Sequence, residues 1–105
     1  MPLLCRIDAI PQSRQARYRE LAARVKAAVR APVETRDGFR FELDPASISL
    51  AEIGEWMSLE SLCCPFLRFE LRLAPGAAAP SLALAGAEEE SDAGVKEILA
   101  AAFLR

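Results

Sequence analysis

Hydrophobic positions along the chain change period several times, and each change marks an element. Leu3-Leu4-Cys5-Arg6-Ile7-Asp8 alternates, with Leu3, Cys5 and Ile7 on one side and Arg6 and Asp8 on the other, as a half-buried strand requires. From Pro11 to about Arg30 the period lengthens. Tyr18, Leu21, Ala22, Val25, Ala28 and Val29 recur at three-and-four spacing while Arg14, Arg17, Arg24 and Arg30 mostly fall outside the stripe, which predicts an amphipathic helix ended before Pro32. Val33 to Leu43 reads as a hairpin, with Phe39, Phe41 and Leu43 alternating inward and Asp37-Gly38 expected to supply the positive φ of a tight turn.

Asp44-Pro45 breaks the second strand, and Ser49-Leu-Ala-Glu52 has the spacing of a capping box that opens a helix from about Leu50 to Cys63, stopped by Pro65. Phe69-Glu-Leu71-Arg-Leu73 alternates again, Pro75 to Pro80 is a small-residue turn, and Leu82-Ala-Leu84 is a short returning strand. The Glu88-Glu89-Glu90-Ser91-Asp92 run then precedes Val95, Ile98, Leu99, Ala102 and Phe103, whose spacing is helical; acidic residues there complement the positive end of the helix dipole. The order β-α-β-β-α-β, followed by one more strand and one more helix, predicts a single α+β domain over residues 1–105. Its expected form is a ferredoxin-like sandwich, an antiparallel sheet with helices on one face and the additional strand at the edge beside the fourth. Phe39, Phe41, Phe69, Leu71 and Leu73 are expected under the helices, since such alternation buries one face only. In that arrangement the Cys63-Cys64 corner, the Ile10-Pro11 loop and the Arg36-Asp37-Gly38 turn share one rim.

Length and charge narrow the function. A chain of 105 residues with just over half its positions apolar supports one core. A formal charge of −2 speaks against nucleic acid as a partner. No apolar run approaches the ~18 residues that span a bilayer and none resembles a secretory h-region, so a cytoplasmic protein is expected, without a membrane partner. Three cysteines, an odd number, make a structural disulfide framework unexpected in a reducing compartment. The absence of histidine removes the commonest general base and the commonest zinc ligand together.

What chemistry remains gathers in Glu60-Ser-Leu-Cys63-Cys64-Pro65-Phe66. At ~100° per residue, Trp56, Glu60, Ile53, Cys64 and Met57 share one third of the second helix's circumference, with Cys63 just beyond Trp56. A carboxylate centred on that stripe incurs desolvation, so Glu60 either raises its pKa or finds a partner, with Arg36 or Arg68 available at the rim. The pyrrolidine of Pro65 pushes Cys64 toward extended backbone, which should leave at least one sulfur accessible at the corner. A helix C-terminus raises a thiol's pKa, which disfavours a simple activated nucleophile and favours a ligand able to displace the thiol proton. Two adjacent thiolates with a carboxylate suit soft, low-coordinate ions such as mercury(II), copper(I) or trivalent arsenic, so Cys63, Cys64 and Glu60 are the candidate metal ligands. Cys5, inward on its strand, is read as core rather than ligand.

The segment Glu60-x-x-Cys63-Cys64-Pro65-Phe66-x-x-Phe69, with Cys5 and the Asp37-Gly38-Phe39 turn, resembles a group of small, mostly uncharacterised bacterial proteins marked by a Cys-Cys-Pro-Phe motif. Similar segments are associated with mercury-responsive regulators of the MerR type. Members of that group tend to enter the last helix through Gly-Pro-x-Gly, where this chain has Ala85-Gly86-Ala87 and an acidic insert. The resemblance implies soft-metal or thiol biology and does not by itself imply catalysis. Three readings stay open: a thiol protein that binds a soft metal or metalloid; a non-catalytic interaction module, partnered by a second copy or by a regulatory protein, whose cysteines are packing; and a redox protein cycling a Cys63–Cys64 vicinal disulfide.

Overall fold

The computed structural model describes residues 6–86 and 92–104. The start of the expected first strand, Cys5 included, and the acidic run from Glu88 to Ser91 lie outside them. Ile7 and Asp8 are not strand. Ile7–Ala9 forms a 3-10 turn, closed by Ala9 N–H to Arg6 O and Ile10 N–H to Ile7 O, both 3.0 Å. Pro11 then holds Ile10 extended and leads into α1, Gln12–Ala28, which buries Leu21, Val25 and Ala28.

No loop separates α1 from β1, Val29–Glu34, so the strand begins four residues earlier than the hairpin pattern predicts. It pairs antiparallel with β2, Gly38–Leu43. Between the Arg30↔Glu42 and Val33↔Arg40 pairs, Ala31 and Pro32 face Phe41 alone; this bulge carries Ala31 at φ 50°, an uncommon conformation for a residue with a Cβ. Proline and a bulge on an edge strand both interrupt the row of backbone groups that another chain could pair with. A Ser49–Glu52 capping box opens α2, Leu50–Cys63, as its spacing predicts. Next come β3, Leu67–Arg72, then β4, Ser81–Gly86, and finally α3, Asp92–Phe103.

The four strands form one antiparallel sheet in the order β1-β2-β4-β3. The expected ferredoxin-like order is therefore not the one found among the described residues. The returning strand does not extend an edge; β4 lies between β2 and β3, where a ferredoxin-like sheet would hold its first strand. Alternation located β2, β3 and β4 but carries no information about which strand pairs with which.

Register explains the core. Leu84 stands opposite both Phe39 and Phe69, and Leu82 opposite both Phe41 and Leu71, so these side chains line the face that the helices cover. Phe103 of α3 packs on Phe41 and on Trp56 of α2, and Trp56 meets Phe69 edge-on, with ring centroids 5.9 Å apart in each pair. Arg40, Glu42, Arg68 and Glu70 point to solvent from the other face. Leu73, expected in the core, falls just past the end of β3 and is 60% exposed.

Gly38 serves a different purpose from the one its Asp-Gly signature suggests. Its φ is not positive; a Cβ there would sit 1.8 Å from the carbonyl oxygen of Leu84, so glycine is required by close backbone approach of β2 to β4. Gly38→Ala should therefore destabilise the fold by about 1 to 3 kcal/mol or more, because backbone rather than a yielding side chain must move. Chemical denaturation compared with Gly54→Ala, where a Cβ meets nothing within 4 Å, checks this.

Candidate thiol and carboxylate site

Glu60, Cys63 and Cys64 come together at the end of α2. One carboxylate oxygen and the two sulfurs all lie within 4.8 Å of one another. The helix places them: Glu60 is one turn before the cysteines, and the Cys64 N–H still donates to the Glu60 carbonyl at 2.7 Å, so the turn is closed through Cys64. Pro65 then ends the helix, and Cys64 takes φ −124°, ψ 74°. The Leu67 N–H donates to the Cys64 carbonyl at 3.1 Å as the chain turns into β3, and the Arg6 N–H donates to the Cys63 carbonyl at 2.7 Å.

The expectation of an accessible sulfur fails. Cys63 and Cys64 are each 2% exposed and Glu60 5%, and Tyr18 of α1 reaches Glu60 and Cys63 across this corner. Glu60 does not reach the rim arginines. Arg68 instead binds Asp37 at 2.7 Å, holding that carboxyl below its usual range, and the Gly86 N–H donates to the Asp37 carbonyl at 3.2 Å. The hairpin turn, the start of β3 and the end of β4 thus meet at one end of the sheet.

Tyr18 of α1 is the residue that sequence reasoning assigned to packing and that the site depends on. Its hydroxyl donates to the Glu60 carboxyl, 3.0 Å from Oε1 and 3.2 Å from Oε2, and lies 3.9 Å from Cys63 Sγ. The signal was present in the pattern: a phenol on one apolar stripe needs a partner, and a carboxyl on another needs a donor. Ion pairs flank this contact. Arg14 and Arg17, outside the apolar stripe, both bind Glu55 of α2 (2.9 Å for Arg14; 3.0 Å for Arg17), and Arg24 binds Glu52.

Burial governs the electrostatics. Desolvation pushes the Glu60 carboxyl above the usual carboxylate range, against the stabilising effect of the Tyr18 hydroxyl and of the Trp56 indole N–H. The indole closes no hydrogen bond: Nε1 of Trp56 is buried without a partner. The Cys63 thiol is also raised, first by desolvation, then by the neighbouring Glu60 charge, with the Tyr18 hydroxyl opposing. Burial, more than the helix end, is what disfavours the thiolate. Tyr18 itself is held above the ordinary phenol range by burial and by the Glu60 and Cys63 charges it would face.

The two cysteines differ in state. Cys63 is a free thiol, whereas Cys64 is disulfide-bonded. The structure therefore contains no Cys63–Cys64 vicinal disulfide, although Cys64 does take part in a disulfide where no structural disulfide framework was expected. Cys64 Sγ lies 3.1 Å from Glu60 Oε1. A half-cystine sulfur has no proton to give, so in this state that contact is a hydrogen bond when the Glu60 carboxyl carries the proton, the form that burial favours. Once reduced, the same three side chains offer two sulfurs and an oxygen to one ligand. No helix among the described residues is long and apolar enough to cross a membrane. Compared with models of protein families, with curated proteins and with solved structures, the chain finds no match.

Two outcomes follow from the carboxyl's surroundings. A raised folded-state pKa means that Glu60 favours folding below its unfolded value, near pH ~4.3, and opposes it as pH rises toward the folded value. Glu60→Gln, which still accepts from Tyr18, should therefore gain Tm relative to the wild type as pH increases from about 4 to about 8; thermal melts across that range check the sign. Tyr18→Phe removes a donor from a buried carboxyl and should lower stability by about 1 to 3 kcal/mol. Urea denaturation measures it.

Proposed function

We propose that this protein, in its reduced form, binds a soft metal or metalloid ion through Cys63 and Cys64, with Glu60 as third ligand or proton acceptor. One observation carries the reading: a carboxylate oxygen and two sulfurs converge within 4.8 Å in a buried site. The donor set suits mercury(II), copper(I) or trivalent arsenic, which take two or three soft ligands, and not magnesium or calcium, which require several oxygens. The Glu60 carboxyl meets the Tyr18 hydroxyl and the Cys64 sulfur, and a bound cation would favour its ionised form against the desolvation that otherwise holds the proton on it. The motif's resemblance to segments associated with mercury-responsive regulators is a second support.

Burial of both cysteines favours a competing reading, in which they are small apolar filler and the protein is an interaction module. Metal uptake separates the two. Reduced protein should take up about one equivalent of mercury(II) per chain, measured by calorimetry. Cys63→Ser and Cys64→Ser should each lose most of the affinity, and Glu60→Gln should weaken it roughly tenfold or more while leaving the fold intact. Uptake unchanged in both cysteine variants would return the cysteines to packing.

A further inference from the structure

The oxidation states of the two cysteines are unequal, although their sulfurs share one buried cluster with Glu60. While Cys64 is half of a disulfide, its sulfur is neutral and already committed to a covalent bond. Of the three side chains in the cluster, the Cys63 thiol and the Glu60 carboxyl then remain as ligands, a set too poor in sulfur for an ion that demands two thiolates. The backbone gives no reason for the cluster to disperse on reduction. Cys64 is held by its own N–H to Glu60 and by its carbonyl to Leu67, and Cys63 by its carbonyl to Arg6, none of which involves the sulfur.

We infer that the disulfide at Cys64 is a redox gate on the Glu60–Cys63–Cys64 cluster, closed when oxidised and open to a dithiol-seeking metal or metalloid when reduced. The inference rests on the reading of that cluster as a soft-metal site. The opening step balances with an external dithiol as reductant. Its two thiols supply two electrons and two protons; the Cys64 S–S bond breaks, two protein thiols form, and the dithiol becomes a disulfide. Binding then displaces the Cys63 and Cys64 protons as two metal–sulfur bonds form. Because both cysteines are 2% exposed, reductant and ion reach them through local opening of the corner rather than at a standing surface. The device would tie occupancy of the site to the redox poise of the protein's surroundings.

Phenylarsine oxide, a trivalent arsenical that is held firmly by two thiols and weakly by one, tests the gate. The full chain is titrated anaerobically before reduction, and again after treatment with a phosphine reductant that is then removed. Alkylation under denaturing conditions with peptide mapping reports the state of Cys64 in each sample, and circular dichroism reports the fold. The expected result is no uptake with Cys64 blocked, and about one equivalent with Cys64 free and the fold retained; Cys63→Ser should abolish that gain. Equal uptake in both samples, with Cys64 still blocked in the first, would overturn the gate and leave the soft-metal reading standing. Unfolding on reduction would also overturn it, by making the disulfide a structural staple. No uptake by folded protein with Cys64 free, or full uptake by reduced Cys63→Ser, would instead sink the site on which the gate depends.

Discussion

The sheet depends on β4. Strands β2 and β3 are both hydrogen-bonded to it and not to each other, so the central seam is laid down by a segment that follows nearly everything it joins. This ordering has a folding consequence: the pairing of Gly38 with Ala85 closes a long loop, and contacts of that kind are slow to form because chain entropy is lost before they are rewarded. It also fixes the thiol corner. The turn after Cys64 leads into β3, whose position is set by pairing along its whole length with β4, from Leu67↔Gly86 to Arg72↔Ser81.

Against that sheet, the α1–α2 interface is organised by two kinds of polar contact of unequal consequence. Arg14, Arg17 and Arg24 reach Glu55 and Glu52 at partly exposed positions, where solvent and salt screen an ion pair and leave it worth little. The Tyr18–Glu60 hydrogen bond lies deeper, in surroundings that strengthen a satisfied polar contact and penalise a broken one. The first kind trims the interface; the second holds Tyr18 over the cysteines and so sets the chemistry of the site. A raised Glu60 carboxyl, a raised Cys63 thiol and a raised Tyr18 phenol all follow from placing three titratable groups in one low-dielectric corner.

Much of the secondary structure was legible because it is local. The Ser49–Glu52 spacing announced α2 and its N-terminal bonds, Pro65 announced its end, and period-two runs announced β2, β3 and β4. Where reading by period failed, the deciding force was not periodic. Ile7 and Asp8 alternate with their neighbours yet form a tight turn before Pro11, and Val29 continues the α1 stripe yet opens β1, where it pairs with Leu43. Gly38 was correctly singled out but for the wrong reason, since the approach of Leu84 can be known only once β4 is beside β2.

For the site, the chain alone determined that Glu60, Cys63 and Cys64 stand together, because residues three and four apart on a helix occupy one face whatever surrounds them. It also determined that Glu60 would need a partner, because its neighbours on that face are apolar. Tertiary structure alone decided that the partner is Tyr18 rather than an arginine, that both sulfurs are enclosed, and that the two cysteines differ in oxidation state. Those facts depend on which segment crosses the corner and how closely. Helical spacing places residues only along their own axis; the packing of α1 over α2 and the pairing of β4 decide what lies across from them.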